Sequence, residues 1–188
     1  MTEVYFVRHA ESDDTNHDDL TRGLTEKGLR DRDLVSGYLD DKGITAVLSS
    51  PYRRAVETVR PFAEARGLEI RLVEDFRERR VDSGWIEDFD AFCRRQWSDF
   101  TYKLSDGETL GEVQERNIRA LGEVLRRYPG QSVAIGGHGT AISTVVNYYD
   151  RSFGYAQFQE IKGLMPWLVK LTFEGEALQN IERIDLFA

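Results

Sequence analysis

Apolar and polar stretches alternate along the chain with periods that predict a succession of strands and helices. Val4-Tyr5-Phe6-Val7 reads as a buried strand, and a polar loop from Glu11 to Gly23 follows it. Thr25 opens a helix that runs to about Asp41, and residues 44–49 form a second strand. Ser50 and Pro51 read as the N-cap and first residue of a helix with Tyr52, Ala55, Val56, Val59 and Phe62 on one face, which Pro61 should kink or end. Residues 69–73 can form a third strand. The period is then lost, and Trp85, Phe89, Phe92, Trp97, Phe100 and Tyr102 stud a segment that is either irregular or helical. Leu110, Val113, Leu121 and Tyr128 recur at helical spacing in a long helix over residues 108–128, stopped by Pro129-Gly130. A strand at 132–135, a helix at 140–149 and two strands at 168–173 and 178–184, joined through Glu174-Gly175-Glu176, complete the pattern.

Such alternation implies an α/β fold: one three-layer domain over residues 1–188, with a mostly parallel central sheet and helices on both faces. Residues 79–107 are expected to form a small lid or substrate segment. No repeat, low-complexity tract or linker-like stretch suggests a boundary.

Composition narrows the class. With 25 Lys and Arg against 33 Asp and Glu, the net charge of −8 argues against a general nucleic-acid surface, so any anion site must be local. The longest apolar runs are only strand-sized, which argues against a membrane span. A single cysteine, Cys93, cannot form an internal disulfide, and cytoplasm is the default expectation. Nothing in the sequence indicates an oligomeric state.

In open α/β sheets, active sites gather beyond the carboxyl ends of the strands. His9 stands there with Arg8 beside it, Arg54 falls in the first turn of the helix after the second strand, Glu78 follows the third, and His138 ends the strand at 132–135. Two of the chain's three histidines occupy strand ends. Two arginines, a helix N-terminus and two imidazoles suit a phosphoryl group. A neutral imidazole can attack phosphorus to give a phosphohistidine, with Arg8, Arg54 and a protonated His138 balancing the equatorial charge. Glu78, or Asp82 in its place, could protonate the leaving group. This chemistry calls for no metal and no cofactor.

Arg8-His9-Ala10-Glu11-Ser12, Ser49-Ser50-Pro51-Tyr52-Arg53-Arg54-Ala55, Phe76-Arg77-Glu78 and Gly137-His138-Gly139-Thr140 resemble, in order, the four signature segments of the histidine phosphatase superfamily, which includes the cofactor-dependent phosphoglycerate mutases. Gly23-Leu24-Thr25-Glu26-Lys27-Gly28 is similar to the family's lead-in to its first helix. The resemblance implies that His9 is the phosphorylated nucleophile, that Arg8, Arg54 and His138 form the phosphate pocket, and that Glu78 donates the proton. Arg54 is preferred to Arg53 because it immediately precedes the small residue Ala55. The implied substrate is a phosphorylated small molecule or protein.

Three positions depart from the family pattern. Ala10 replaces the commonest glycine. Thr15 stands where many members carry asparagine, so Asn16 next to it, like Ser12, is a possible substrate contact. Gly139 replaces the aspartate of the acid-phosphatase and phytase branch. Rival readings are a mutase, which shares every pocket residue but has a longer lid than the roughly thirty residues between Glu78 and Gly107, and a non-catalytic phosphate-binding module. A metal site at His17 and a dinucleotide loop at Gly136-Gly137-His138-Gly139 are weaker: loop histidines beside acids are usually solvated, and Ile142 breaks the glycine template. Cys93 reads as a packed small hydrophobe, and Trp85 and Phe89 as packing residues within reach of a substrate.

Overall fold

The computed structural model describes residues 1–84 and 86–188. The first strand, β1 (Thr2–Arg8), lies in the middle of the sheet. It is followed by α1 (Glu26–Leu39), β2 (Ile44–Ser49), α2 (Arg53–Ala65), β3 (Ile70–Leu72) and a 3-10 turn at Glu74–Phe76. Then come α3 (Phe89–Ser98), α4 (Leu110–Arg127), β4 (Ser132–Gly137), α5 (Gly139–Tyr149), α6 (Tyr155–Ile161), β5 (Trp167–Glu174) and β6 (Ala177–Ile184). The sheet order is β3-β2-β4-β1-β5-β6. β1 to β4 are parallel, while β5 runs antiparallel to both β1 and β6.

β1 is apolar at consecutive positions because both of its faces are buried. Val4 and Phe6 join Val133, Ile135, Val169 and Leu171 in a core closed by α4, α5 and α6. Tyr5 and Val7 point the other way, with Val47, Ala134 and Leu168, onto Val35 and Leu39 of α1 and Val59 and Phe62 of α2. The three layers expected from the alternation are therefore present.

Local signals explain most of the boundaries. Thr25 caps α1 by accepting the Gly28 N–H at 3.0 Å. Thr109 and Glu112 form a reciprocal capping box at the start of α4, with bonds of 2.9 and 2.8 Å. Gly175 takes φ +61 in the β5–β6 turn, a conformation that favours glycine.

Two expectations for α2 are corrected. Ser50 is not its N-cap and Pro51 is not its first residue: the helix begins at Arg53, with Tyr52 as an N-cap that makes no side-chain bond. Ser50 Oγ accepts the Tyr52 N–H at 3.2 Å in a turn that precedes the helix, and it faces His138. Nor does Pro61 end α2, which continues to Ala65. A helical proline leaves the carbonyl four residues back without its donor; here that carbonyl, on Glu57, accepts from Arg32 Nη1 at 2.9 Å instead.

Within the aromatic stretch, Phe89, Phe92 and Trp97 lie on α3. Trp97 packs there with Phe100, Phe153 and Phe158 at ring separations of 5.6, 6.2 and 5.5 Å, which fixes the segment to the core. The short helix α6 had no counterpart in the apolar pattern.

Candidate active site

β1 and β4 end together, with Arg8 opposite Gly137, and the His9 N–H donates to the Gly137 carbonyl at 3.1 Å. β2 ends on the other side of β4, where the Ser50 N–H donates to the Gly136 carbonyl at 2.8 Å. Three adjacent strand ends thus bring His9, His138 and Ser50 together. The two imidazoles meet at 60°, centroids 5.4 Å apart, and His138 Nε2 lies 2.8 Å from Ser50 Oγ. The Tyr52 ring is 5.2 Å from that of His138, and the Arg54 guanidinium lies 5.1 Å from the same tyrosine.

His9 is held in one tautomer. Its Nδ1 lies 2.7 Å from the Ala10 carbonyl oxygen, which can only accept. Nδ1 therefore carries the proton, and Nε2 presents its lone pair. Ala10 is fully buried and takes no positive φ, so its methyl in place of glycine causes no backbone strain. Its N–H donates to Thr58 Oγ1 at 3.0 Å, which steadies the loop from the α2 side.

Burial, followed by the charges of Arg54 and Arg8, pushes the pKa of His9 well below its ordinary 6.5, with the Ala10 carbonyl acting in the opposite direction. His138 is pushed down by burial first and then by Arg54 and His9. Both shifts share one cause, since a buried site beside cations disfavours a further positive charge.

This carries a prediction for stability. The unfolded chain takes up protons at both imidazoles as pH falls through 6.5 while the folded chain does not, so stability is full above that value and declines below it. Each histidine should contribute a slope of up to about 1.4 kcal/mol per pH unit. Urea midpoints measured from about pH 7 down to about pH 5.5 should fall; a flat profile over that window would contradict two buried neutral imidazoles.

The cations are positioned from three elements. Arg54, only 2% exposed, leans back from the first turn of α2, as helical side chains do. Its Nη1 donates to the Asp19 carbonyl at 2.8 Å and its Nη2 to Asp19 Oδ1 at 3.2 Å. Asp19 Oδ1 also accepts from Arg22 Nη2 at 3.0 Å. The polar loop thereby adds a third arginine whose charge reaches both imidazoles. Arg8 sends Nη1 to the carbonyls of Ile161, Lys162 and Leu164 at 2.7, 3.0 and 3.1 Å. It also packs against Gly139, where a Cβ would come within 2.7 Å of Arg8 Nε. Burial lowers the Arg8 pKa to about 10, which leaves it charged at neutral pH.

The Nε–H groups of Arg8, Arg22 and Arg54 are buried and make no hydrogen bond among the described residues. Buried donors of this kind normally find an acceptor. An oxyanion fits, since it accepts from several planar guanidinium groups at once.

Glu78 is held against the first turn of α5. Its Oε2 accepts from the Thr140 N–H at 3.0 Å, and its Oε1 accepts from the N–H groups of Ala141 at 3.0 Å and Arg79 at 2.8 Å. The carboxylate is therefore held at the start of α5, the helix that His138 precedes, with one lone pair of Oε2 unused. Asp82 makes none of these contacts, and its Oδ1 is buried without a hydrogen-bond partner among the described residues.

Other residues singled out by the sequence have partners of their own. Arg53 is exposed and paired with Glu57 at 2.6 Å. Ser12 pairs through its backbone with Leu24. Asn16 engages its own loop, accepting the Asp18 N–H at 3.0 Å and reaching Thr21 Oγ1 at 3.4 Å. Cys93 is buried 3.9 Å from the Arg79 guanidinium, and burial pushes its thiol pKa up. Phe89 is partly exposed over Arg79, while Trp85 lies outside the described residues. Among the described residues, no cluster of three or more His, Cys, Asp or Glu is placed to hold a metal ion. No helix of the described residues is long and apolar enough to cross a membrane.

Sequence reasoning missed Ser50, Tyr52, Asp19 and Arg22. Only the place of Ser50, directly after a strand end, signalled it; the loop residues carry no periodicity.

The model of the histidine phosphatase superfamily (branch 1) matches residues 4–184. The chain is 31% identical over 188 residues to the uncharacterized phosphatase PhoE of Bacillus subtilis (strain 168), covering 97% of this chain and 89% of that one. It is 31% identical over 162 residues to the probable phosphoglycerate mutase GpmB of Cronobacter sakazakii, covering 78% and 74%. The fold is also that of a mycobacterial glucosyl-3-phosphoglycerate phosphatase solved with VO3, with a TM-score of 0.80 and 19% identity over 97% of this chain and 98% of that one. With a family model matched across nearly its whole length, the chain belongs to the histidine phosphatase superfamily.

Proposed function

We propose that the protein hydrolyses phosphomonoesters through a phosphohistidine at His9, and that its substrate is a phosphorylated small molecule or phosphoprotein. The observation that carries this reading is the bond from His9 Nδ1 to the Ala10 carbonyl, which leaves Nε2 as a buried, unprotonated nucleophile. Nε2 attacks phosphorus as the ester P–O bond breaks, and Glu78 gives its proton to the departing alkoxide. Glu78 then takes a proton from the water that attacks the phosphohistidine, releasing phosphate and restoring His9. Arg8, Arg54, Arg22 and His138 hold the phosphoryl oxygens, and the incoming negative charge reverses the cationic environment that keeps His138 neutral.

Ser12 and Asn16 would meet the substrate at the polar loop, and residues 79–107 would read the leaving group. The reaction requires neither metal nor cofactor, and with one buried cysteine we place the protein in the cytoplasm. The similarity to GpmB favours phosphoglycerate mutase chemistry as a second reading, since that reaction would use the same pocket.

The test is a panel of phosphometabolites, phosphopeptides and an aryl phosphate, assayed with and without a chelator. Release of inorganic phosphate that the chelator leaves intact supports the hydrolase. Interconversion of phosphoglycerates without net phosphate release supports the mutase instead.

A further inference from the structure

The segment that bears Glu78 is neither helix nor strand: after the 3-10 turn at Glu74–Phe76 it runs extended, outside the sheet. Its backbone is fixed by one side chain from α4. Arg116, 5% exposed, donates from Nη1 to the carbonyls of Asp75 and Arg77, both at 2.7 Å, and from Nη2 to the carbonyl of Glu78 at 3.1 Å. Its two remaining N–H groups, on Nε and Nη2, go to Glu108 Oε2 and Oε1, each at 2.9 Å. All five donors of the guanidinium are thereby used.

Glu108 completes the clamp from the other side. Its Oε1 accepts the Arg80 N–H at 2.9 Å, and its own N–H donates to the Arg80 carbonyl at 2.7 Å. Gly107 lies so close beneath that a Cβ there would come within 2.0 Å of the Val81 carbonyl oxygen. Residues 75–81 thus rest on a saddle built from the entry to α4, while the Glu78 carboxylate at their centre is oriented by the start of α5.

We infer that Arg116, braced by Glu108, is a positioning residue for proton transfer: it sets where Glu78 stands relative to His9 and His138. The inference rests on the assignment of Glu78 as proton donor. Lysine keeps the charge but offers three donors from one point, so it cannot grip three carbonyls and a carboxylate together.

Arg116→Lys should therefore act selectively. In the first step, read as the single-turnover rate of phosphoenzyme formation, an alkyl phosphate, whose leaving alkoxide needs a proton, should react about 10- to 100-fold more slowly, while an aryl phosphate that leaves as a stable phenolate loses only a few-fold; the comparisons that follow are of this step. KM should change little for either ester. In a Glu78→Gln background the same substitution should cost nothing further on the alkyl ester, because both changes remove one contribution.

Equal losses on both esters, or a full additional loss in the Glu78→Gln background, would reduce Arg116 to a scaffold residue and overturn the inference. If Arg116→Lys does not fold, Glu108→Gln removes one acceptor of the clamp and must give the same leaving-group selectivity at smaller size; a uniform loss is equally fatal. Failure of the underlying reading is distinct: it appears as an unmutated enzyme that releases no phosphate, or as a Glu78→Gln variant that loses no more on the alkyl than on the aryl ester.

Discussion

Substitution of His9 by alanine is expected to lower phosphate release by about four orders of magnitude or more, on every ester, because loss of a nucleophile removes the covalent route outright. Nothing nearby can stand in for it: His138 is buried, and its Nε2 is engaged with Ser50 Oγ at 2.8 Å. The pocket itself should survive, since the Arg8 and Arg54 contacts run to Ile161, Lys162, Leu164 and Asp19 and not through the His9 ring. His9→Ala should therefore still bind phosphate, read as a raised unfolding temperature in its presence. Brief exposure of the unmutated enzyme to substrate should leave an acid-labile, alkali-stable phosphoryl group on His9. Full turnover in the alanine variant would end the nucleophile assignment.

The second large effect concerns Glu78. Glutamine preserves the shape, but its single carbonyl oxygen can accept either from Thr140 or from Ala141 and Arg79, not from both sides, and it cannot deliver a proton to a leaving oxygen. Alkyl phosphate hydrolysis should fall by about 10²- to 10⁴-fold. The aryl ester should lose far less in its first step, so phosphoenzyme should accumulate as hydrolysis of the phosphohistidine, which also needs Glu78 as a base, becomes limiting. A burst of phenolate followed by slow turnover is the expected trace in a stopped-flow experiment. If the burst is absent and both esters decline together, another group moves the proton.

The parts of the site legible in the sequence are those fixed by one strand end each. His9, Arg8 and His138 follow apolar runs, and Arg54 falls in the first turn of a helix that starts after a strand, which local periodicity shows; the choice of Arg54 over Arg53 came from the resemblance of the four segments to the histidine phosphatase signatures. Residues whose role depends on distant segments were not legible. Arg116 lies 38 positions from Glu78, and along α4 it reads as one more surface cation among Glu115, Arg119 and Arg126. Arg22 and Asp19 sit in a polar loop whose path is set by Arg54, not by its own pattern. The misplaced start of α2 has a similar cause, because Ser50 has the chemistry of a cap but is drawn to an imidazole 88 residues away in sequence. Pro61 does not end α2, since the donor that replaces its missing N–H comes from Arg32 on another helix.

The grip of Arg8 on the carbonyls after α6 has a consequence for the order of assembly. β1 is made well before both of its neighbours in the sheet, β4 and β5. A nascent chain complete to Tyr149 already contains every residue assigned to the chemistry. Its Arg8 guanidinium, however, has nothing to close on until Ile161, Lys162 and Leu164 have emerged. The anion pocket is thus finished by a stretch made well after every residue assigned to the chemistry, so a chain that stops short of it should have no competent site.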